Sequence, residues 1–270
     1  MLSRLELDAF PIIGKQAINK ISRQQVLHVI QKIEERGALD VAKRIGQYCA
    51  AIFDNALLKG LCESNPAMGL AKTVETKAVT HRPCLKEKQL PDFLEKLEEY
   101  RGGKLVQLAM KLLMLTFVRP GELRGARWEE IDEDKAEWRI PASRMKMKRD
   151  HIVPLSKQAL AVIAEIKKLS GDSEILFPGR KNFKTPISDV TLIKCLKILG
   201  YGETATPHGM RATASTIFNE NNFNSDHIEM QLAHVESNKI RGAYNRALYL
   251  NERRKMMQWW GDYLKKAGMK

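Results

Sequence analysis

Cysteine is scarce in this chain. Its 270 residues hold four, Cys49, Cys62, Cys84 and Cys195. None forms a C-x-x-C pair and no histidine stands at zinc spacing from them, which excludes a disulfide framework or a thiolate metal site as the organising principle. Reduced thiols fit best, and Cys49, on an apolar helical face, is expected as a buried thiol. Long apolar runs are also missing. None approaches the roughly 18 residues of a membrane span. The opening MLSRLELDAF carries no signal-peptide pattern, so the expected location is the cytoplasm, with no membrane association. There is no internal repeat, no low-complexity tract and no convincing carboxylate cluster for a metal. Acidic charge is in deficit, with 32 Asp+Glu against 45 Lys+Arg and a net charge of +13. Such a balance points to polyanionic partners, nucleic acid above all, although a basic surface can also exist without a ligand.

What is present is helical patterning. The length fits one large or two unequal domains, and 44% apolar residues can build real cores. Residues 22–36 read as a helix opened by a Ser22/Gln25 capping box and stopped by Gly37. A second helix, about 38–59, carries Ala42, Ile45, Cys49, Ile52, Phe53 and Ala56 on one stripe and ends at Gly60. Residues 71–86 are small, polar or basic and read as a linker. Beyond it, LPDFLEKLEEY is a helix, and LVQLAMKLLMLTF (105–117) is apolar nearly all round except for Lys111, hence a buried central helix. Ala136, Trp138 and Ile140 alternate with Glu137 and Arg139, and HIVPL (151–155) follows a basic segment, so a hairpin is expected. The remainder returns to helices. The expected fold class is mainly α with a small β-sheet.

Several residues could carry chemistry, and each signal is weak alone. Arg119 in TFVRPGELRGARW leaves the buried helix just before Pro-Gly, and Glu122 opens the next helix; such a turn can fix an arginine head group. Arg124 and Arg127 lie further along, where exposed arginines are ordinary. Lys146 sits in RMKMKRDH at the hairpin tip or its flank, with Lys148 and Arg149 as equally basic neighbours. In TPHGMRATAST (206–216), a helix is expected to begin within a residue or two of His208, bringing His208 and Arg211 together at i,i+3 beside free backbone N–H groups. His234 follows a short helix read as capped by Asp226 and Glu229. Tyr244 follows ten residues on, with Tyr249 as a rival. His28, His81 and His227 look like surface or helix-face residues, and His151 has no evident partner.

The order Arg, Lys, His-x-x-Arg, His, Tyr within one basic domain resembles the tyrosine recombinase (phage integrase) family, and closely the integrases of prophages and genomic islands. RLELDAFPIIGKQAI, RGALDVAKRIGQYC and NPA resemble that group's core-DNA-binding domain. FVRPGELRGARWEEID, RMKMKRDHIVPLS, PHGMRATAST and LAHVESNKIRGAYNRALYLNERRKMMQWW resemble its catalytic domain. The resemblance implies a helical core-binding domain at 1–72, an interdomain linker at 73–86 and a catalytic domain at 87–270. It also implies that Arg119 and Arg211 clamp a scissile phosphate and that Glu122 supports Arg119. Lys146, which alignment on HIVPL selects over Lys148, would protonate the leaving 5′ oxygen. His208 would assist proton handling, His234 would hydrogen-bond the phosphate, and Tyr244 would form a 3′-phosphotyrosine. No cofactor and no metal are implied, since two guanidiniums can neutralise the developing charge and the covalent intermediate conserves the bond energy.

The implied partners are double-stranded DNA with core-type attachment sites, three further copies in a synaptic homo-tetramer, and accessory DNA-bending or directionality factors. The implied setting is the bacterial nucleoid. Ala233 stands where many relatives have Gly. The chain starts directly at the core-binding region, so the N-terminal arm-binding domain common in this group is expected to be absent and arm-site binding is not expected. The cluster Met256, Met257, Trp259 and Trp260 in the tail fits either packing over its own domain or a contact with a neighbouring protomer. Two other outcomes share the chemistry or the binding: a type IB topoisomerase-like strand-breaking enzyme, and a DNA-binding protein with an inactive catalytic set. The complete residue set weighs against the second, and the N-terminal helices and integrase-like tail weigh against the first.

Overall fold

The computed structural model describes residues 1–75, 83–234 and 248–270. The chain divides into two compact units, Met1–Thr80 and His81–Lys270. Among the described residues no helix is long and apolar enough to cross a membrane.

The first unit is helical: α1 (Leu2–Asp8), α2 (Phe10–Ile13), α3 (Arg23–Glu35), α4 (Leu39–Leu58) and the single turn α5 (Leu70–Thr73). The Ser22 hydroxyl accepts from the Gln25 backbone N–H at 3.3 Å, and the Gln25 side chain accepts from the Ser22 N–H at 2.8 Å. This reciprocal pair starts α3, and Gly37, at φ 77°, ends it in a conformation disfavoured for other residues. α3 buries Val26, Val29, Ile30 and Ile33 against Ala42, Ile45, Cys49 and Phe53 of α4. Ile52 departs from the expected stripe. At 100° per residue it falls on the stripe's edge, and it is 38% exposed. Burial pushes the Cys49 thiol up to about 11, as fits an inert core cysteine. Val74, inside the segment read as linker, completes this core.

The second unit is built around α7 (Lys104–Thr116), which is enclosed by α6 (Leu90–Glu98), α9 (Lys157–Ser170), α10 (Thr191–Ile198), α11 (Gly209–Glu220) and the last helix, α13 (Leu250–Lys266). Between α7 and α9 lie the short α8 (Pro120–Arg124) and three strands, β1 (Ile131–Asp132), β2 (Glu137–Ile140) and β3 (His151–Pro154); α12 (Ser225–Gln231) follows α11. Lys111 tolerates burial because its ammonium meets Glu98 at 2.7 Å and the Lys270 carbonyl at 2.8 Å. The sheet is antiparallel in the order β1-β2-β3, with Trp138 opposite Val153 and Ile140 opposite His151. It therefore has one strand more than the expected hairpin. Glu137, a polar member of the strand alternation, is buried, because α13 lays Arg254 over it while Arg139 pairs with its other oxygen at 2.5 Å.

Of the two packings open to the C-terminal tail, the helix takes the one within its own unit. Met256, Met257, Trp260 and Leu264 enter the second core, and the Trp260 indole N–H donates to the Met114 carbonyl at 2.7 Å. Their apolar stripe is already covered by α7 and α9.

Candidate active site

The site begins where α7 ends. Phe117 takes a left-handed conformation, φ 37°, which turns the chain sharply into Val118-Arg119. Arg119 precedes α8, whose first residue is Pro120 and whose third is Glu122. One Glu122 oxygen accepts from the Arg119 backbone N–H and the other from its Nη1, both at 2.8 Å. The carboxylate thus fixes both ends of the arginine at once, and it is itself buried. Arg119 Nη2 donates to the Ala233 carbonyl at 3.0 Å. A guanidinium has five donors, and the remaining N–H groups of Arg119 have no partner among the described residues.

Arg211 arrives from α11. That helix starts at Gly209, directly after His208, and its first N–H is capped by the Thr206 hydroxyl at 2.9 Å. Gly209 is required by a close approach: a Cβ there would stand 2.1 Å from the Pro83 carbonyl oxygen. The Thr206 N–H and the Thr213 hydroxyl hold segment 83–85 in this position, donating to the Pro83 and Leu85 carbonyls. Arg211 is 4% exposed and donates to the carbonyls of Phe117 at 2.7 Å and Leu232 at 2.6 Å. Its Nη2 also meets His234 Nε2 at 3.2 Å.

An arginine only donates, so that His234 nitrogen accepts, and its Nδ1 carries the proton given to Glu229 at 2.7 Å. Arg119, Glu122, Arg211 and His234 are therefore brought together, with Leu232 and Ala233 supplying the carbonyls that hold the two guanidiniums. Burial, then the charge of Arg119, lower the Arg211 guanidinium to about 10. Two like charges held close in a partly dry setting favour an anion between them. Ala233 adopts φ 48°, a left-handed conformation that glycine enters at lower cost.

Several expectations change. α12 is capped by Asn224, which accepts from Asp226 N at 2.8 Å, and Glu229 serves His234 rather than the helix start. Arg211 pairs with His234; His208, half-buried, makes interactions of its own. Arg124 is not an ordinary surface arginine, since its Nε donates to the Ile187 carbonyl at 2.7 Å. Lys146 is exposed in the β2–β3 connector and has no partner among the described residues. Tyr244 lies outside the described residues. Its rival Tyr249 caps α13 at φ 47° with its ring 4.9 Å from that of His227. Among the described residues no three His, Cys, Asp or Glu side chains gather as a metal site.

Known proteins place this arrangement. The sequence matches the phage integrase family over residues 83–250 and the phage integrase central domain over residues 1–73. The chain belongs to the phage integrase family. It is 42% identical to the integrase of Enterobacteria phage P4, over 98% of this chain and 64% of that protein. It is 40% identical to prophage integrase IntA of Escherichia coli (strain K12), over 97% of this chain and 64% of that protein. The chain thus spans less than two thirds of the length of these relatives. Its fold is that of lambda integrase, solved as a dimer on a COC′ core site (TM-score 0.67, 18% identity, 90% of this chain and 69% of that one). The Tn1549 transposon integrase, solved with circular intermediate DNA, is similar too (TM-score 0.66, 17% identity, 94% and 90%).

Sequence reading missed three contributors to this arrangement. Glu229 orients His234. His151 is buried on β3, and its Nε2 donates to the Gln231 carbonyl at 3.2 Å. Burial, then the charges of Arg253, Arg211 and Arg119, lower its pKa to about 3, so it is neutral and faces the arginine pair. Arg253 is 1% exposed; it donates to Gln231 Oε1 at 2.6 Å and 3.0 Å, to the Ile152 carbonyl at 2.6 Å and to the Leu248 carbonyl at 3.2 Å. It ties the start of α13 to α12 and β3. A signal for it existed: residues 253, 256, 257, 260 and 264 share one helical stripe, and an arginine on a buried stripe needs partners.

Proposed function

We propose that this chain is a site-specific DNA recombinase that cleaves and rejoins DNA through a 3′-phosphotyrosine, integrating or excising mobile DNA. The observation that carries this reading is the convergence of Arg119 and Arg211, far apart in sequence, on the adjacent carbonyls of Leu232 and Ala233 beside His234. Membership of the phage integrase family supports it.

In the proposed reaction the free N–H groups of Arg119 and Arg211 bind the non-bridging oxygens of one phosphodiester. Tyr244 Oη attacks phosphorus, the bond to O5′ breaks, and Lys146 gives O5′ its proton. His208 assists proton handling at Tyr244. His234 hydrogen-bonds the phosphate, with Glu229 holding its Nδ1. Glu122 keeps Arg119 in place throughout. Reversal with a new 5′ hydroxyl rejoins the strand, so the step consumes no ATP.

The proposed partners are double-stranded DNA with core-type sites, a synaptic homo-tetramer and accessory bending or directionality factors. Lambda integrase has been solved as a tetramer on a Holliday junction, and that structure supports the tetramer. The proposed domain roles are core-site binding for 1–72, a linker at 73–86 and catalysis for 87–270, in a protein working at the bacterial nucleoid.

The test is covalent capture from a randomised pool of nicked duplexes. The wild-type chain should form an SDS-resistant adduct, and Tyr244→Phe should keep its DNA affinity while losing the adduct. An undiminished adduct in Tyr244→Phe would sink the assignment of the nucleophile.

A further inference from the structure

The ten-residue connector between β2 and β3 carries Lys146, and its anchors, half-buried Arg144 and buried Met145, lie just before that lysine. At its neck the Ala142 N–H donates to Asp150 at 2.7 Å. Met145, immediately before Lys146, is 3% exposed and sits in the second core. Between them, Arg144 reaches back to α8 and the loop after it. Its Nη2 donates to the Glu122 carbonyl at 2.5 Å, and its Nη1 donates to the Gly125 carbonyl and meets both Glu130 oxygens at 3.1 Å. The Arg144 side chain is 18% exposed and that of Glu130 4%. From Lys146 to Asp150 every residue is exposed.

Glu122 therefore holds two arginines. Its carboxylate fixes Arg119 and its backbone carbonyl fixes Arg144. We infer that Arg144 is the positioning residue for Lys146: it fastens the root of the connector to the turn that presents Arg119, so that the lysine swings from a point in register with the phosphate clamp. The geometry favours this over a general stabilising role, because the fork of Arg144 spans the Glu122 carbonyl of α8 together with a carbonyl and a carboxylate of the loop after it, two residues before the free lysine. A lysine at 144 could meet Glu130 but not all three acceptors together. The inference rests on the reading of Lys146 as the proton donor to O5′.

The test uses the duplex that the wild-type chain captures best from the randomised pool, synthesised with oxygen or with sulfur at the 5′ bridging position. A thiolate leaves without a proton, because its conjugate acid is far stronger than an alcohol. On the oxygen substrate, Lys146→Met should lose roughly 10²–10⁴-fold in cleavage rate, the usual contribution of a general acid. Arg144→Lys and Arg144→Met should lose about tenfold or more, as displaced catalytic groups do. On the sulfur substrate all three should return to within about threefold of wild type. Arg144→Lys retains a charge for buried Glu130, so it keeps the test available if Arg144→Met fails to fold. If Lys146→Met is rescued and the Arg144 variants are not, Arg144 acts through the clamp or the fold and the inference falls. If Lys146→Met itself is not rescued, the lysine is not the acid, and the reading beneath the inference falls with it.

Discussion

A single buried histidine sets a measurable property of this unit. His151 is held neutral by burial and by three nearby guanidiniums, with its pKa lowered from 6.5 to about 3. The unfolded chain takes up a proton at this residue below pH 6.5 that the folded chain refuses. Its contribution to stability is therefore present above pH 6.5 and lost as pH falls toward 3. Between pH 7.5 and 5.5 the loss is about 1.4 kcal/mol from this one group. All four tryptophans, at 128, 138, 259 and 260, lie in the second unit, so urea unfolding followed by tryptophan fluorescence reads that unit. His151→Gln should remove that part of the pH dependence, and an unchanged difference between the two pH values would contradict the burial argument. Nothing in the sequence announced it. A histidine in HIVPL reads as an ordinary strand residue until β3 is placed beneath Gln231 and Arg253, contacts 80 and about 100 residues distant.

Elements were more legible than their contacts. Local signals located α3, where Ser22 and Gln25 make the capping box, and α4, which ends at Leu58 just before Gly60 at φ 68°. They also located the turn of Arg119, because Pro-Gly and Glu122 act within one helical turn. Partners that depend on tertiary packing were not legible. Arg211 bonds the carbonyls of Phe117 and Leu232, and Glu229 was read as a cap because D-x-x-E is a local pattern. The start of α11 shows why local reading can still succeed. Gly209 follows His208 because segment 83–85 crosses it at backbone distance, and only glycine leaves room. Gly209→Ala should therefore destabilise the second unit by about 1–3 kcal/mol or more, the range for overpacking. Thermal melting checks this, and a melting temperature unchanged from wild type would refute the close approach.

At the scale of the whole molecule, a net charge of +13 and a two-guanidinium site serve the same end. In the proposed reaction the distributed charge draws a polyanion in, and Arg119 and Arg211 select one phosphate from it. The fixed part of the site comes from α7, α8, α11 and α12, which hold Arg119, Arg211 and His234 through backbone carbonyls and carboxylates. Arg253 anchors the chain at Leu248, four residues past the proposed nucleophile. The proposed reaction therefore depends on which tyrosine reaches the clamp. The most direct measurement is mass spectrometric mapping of the covalent adduct formed on a nicked duplex. A nucleotide linked to Tyr244 is the expected product; a nucleotide linked to Tyr249, or to any other residue, would contradict the assignment.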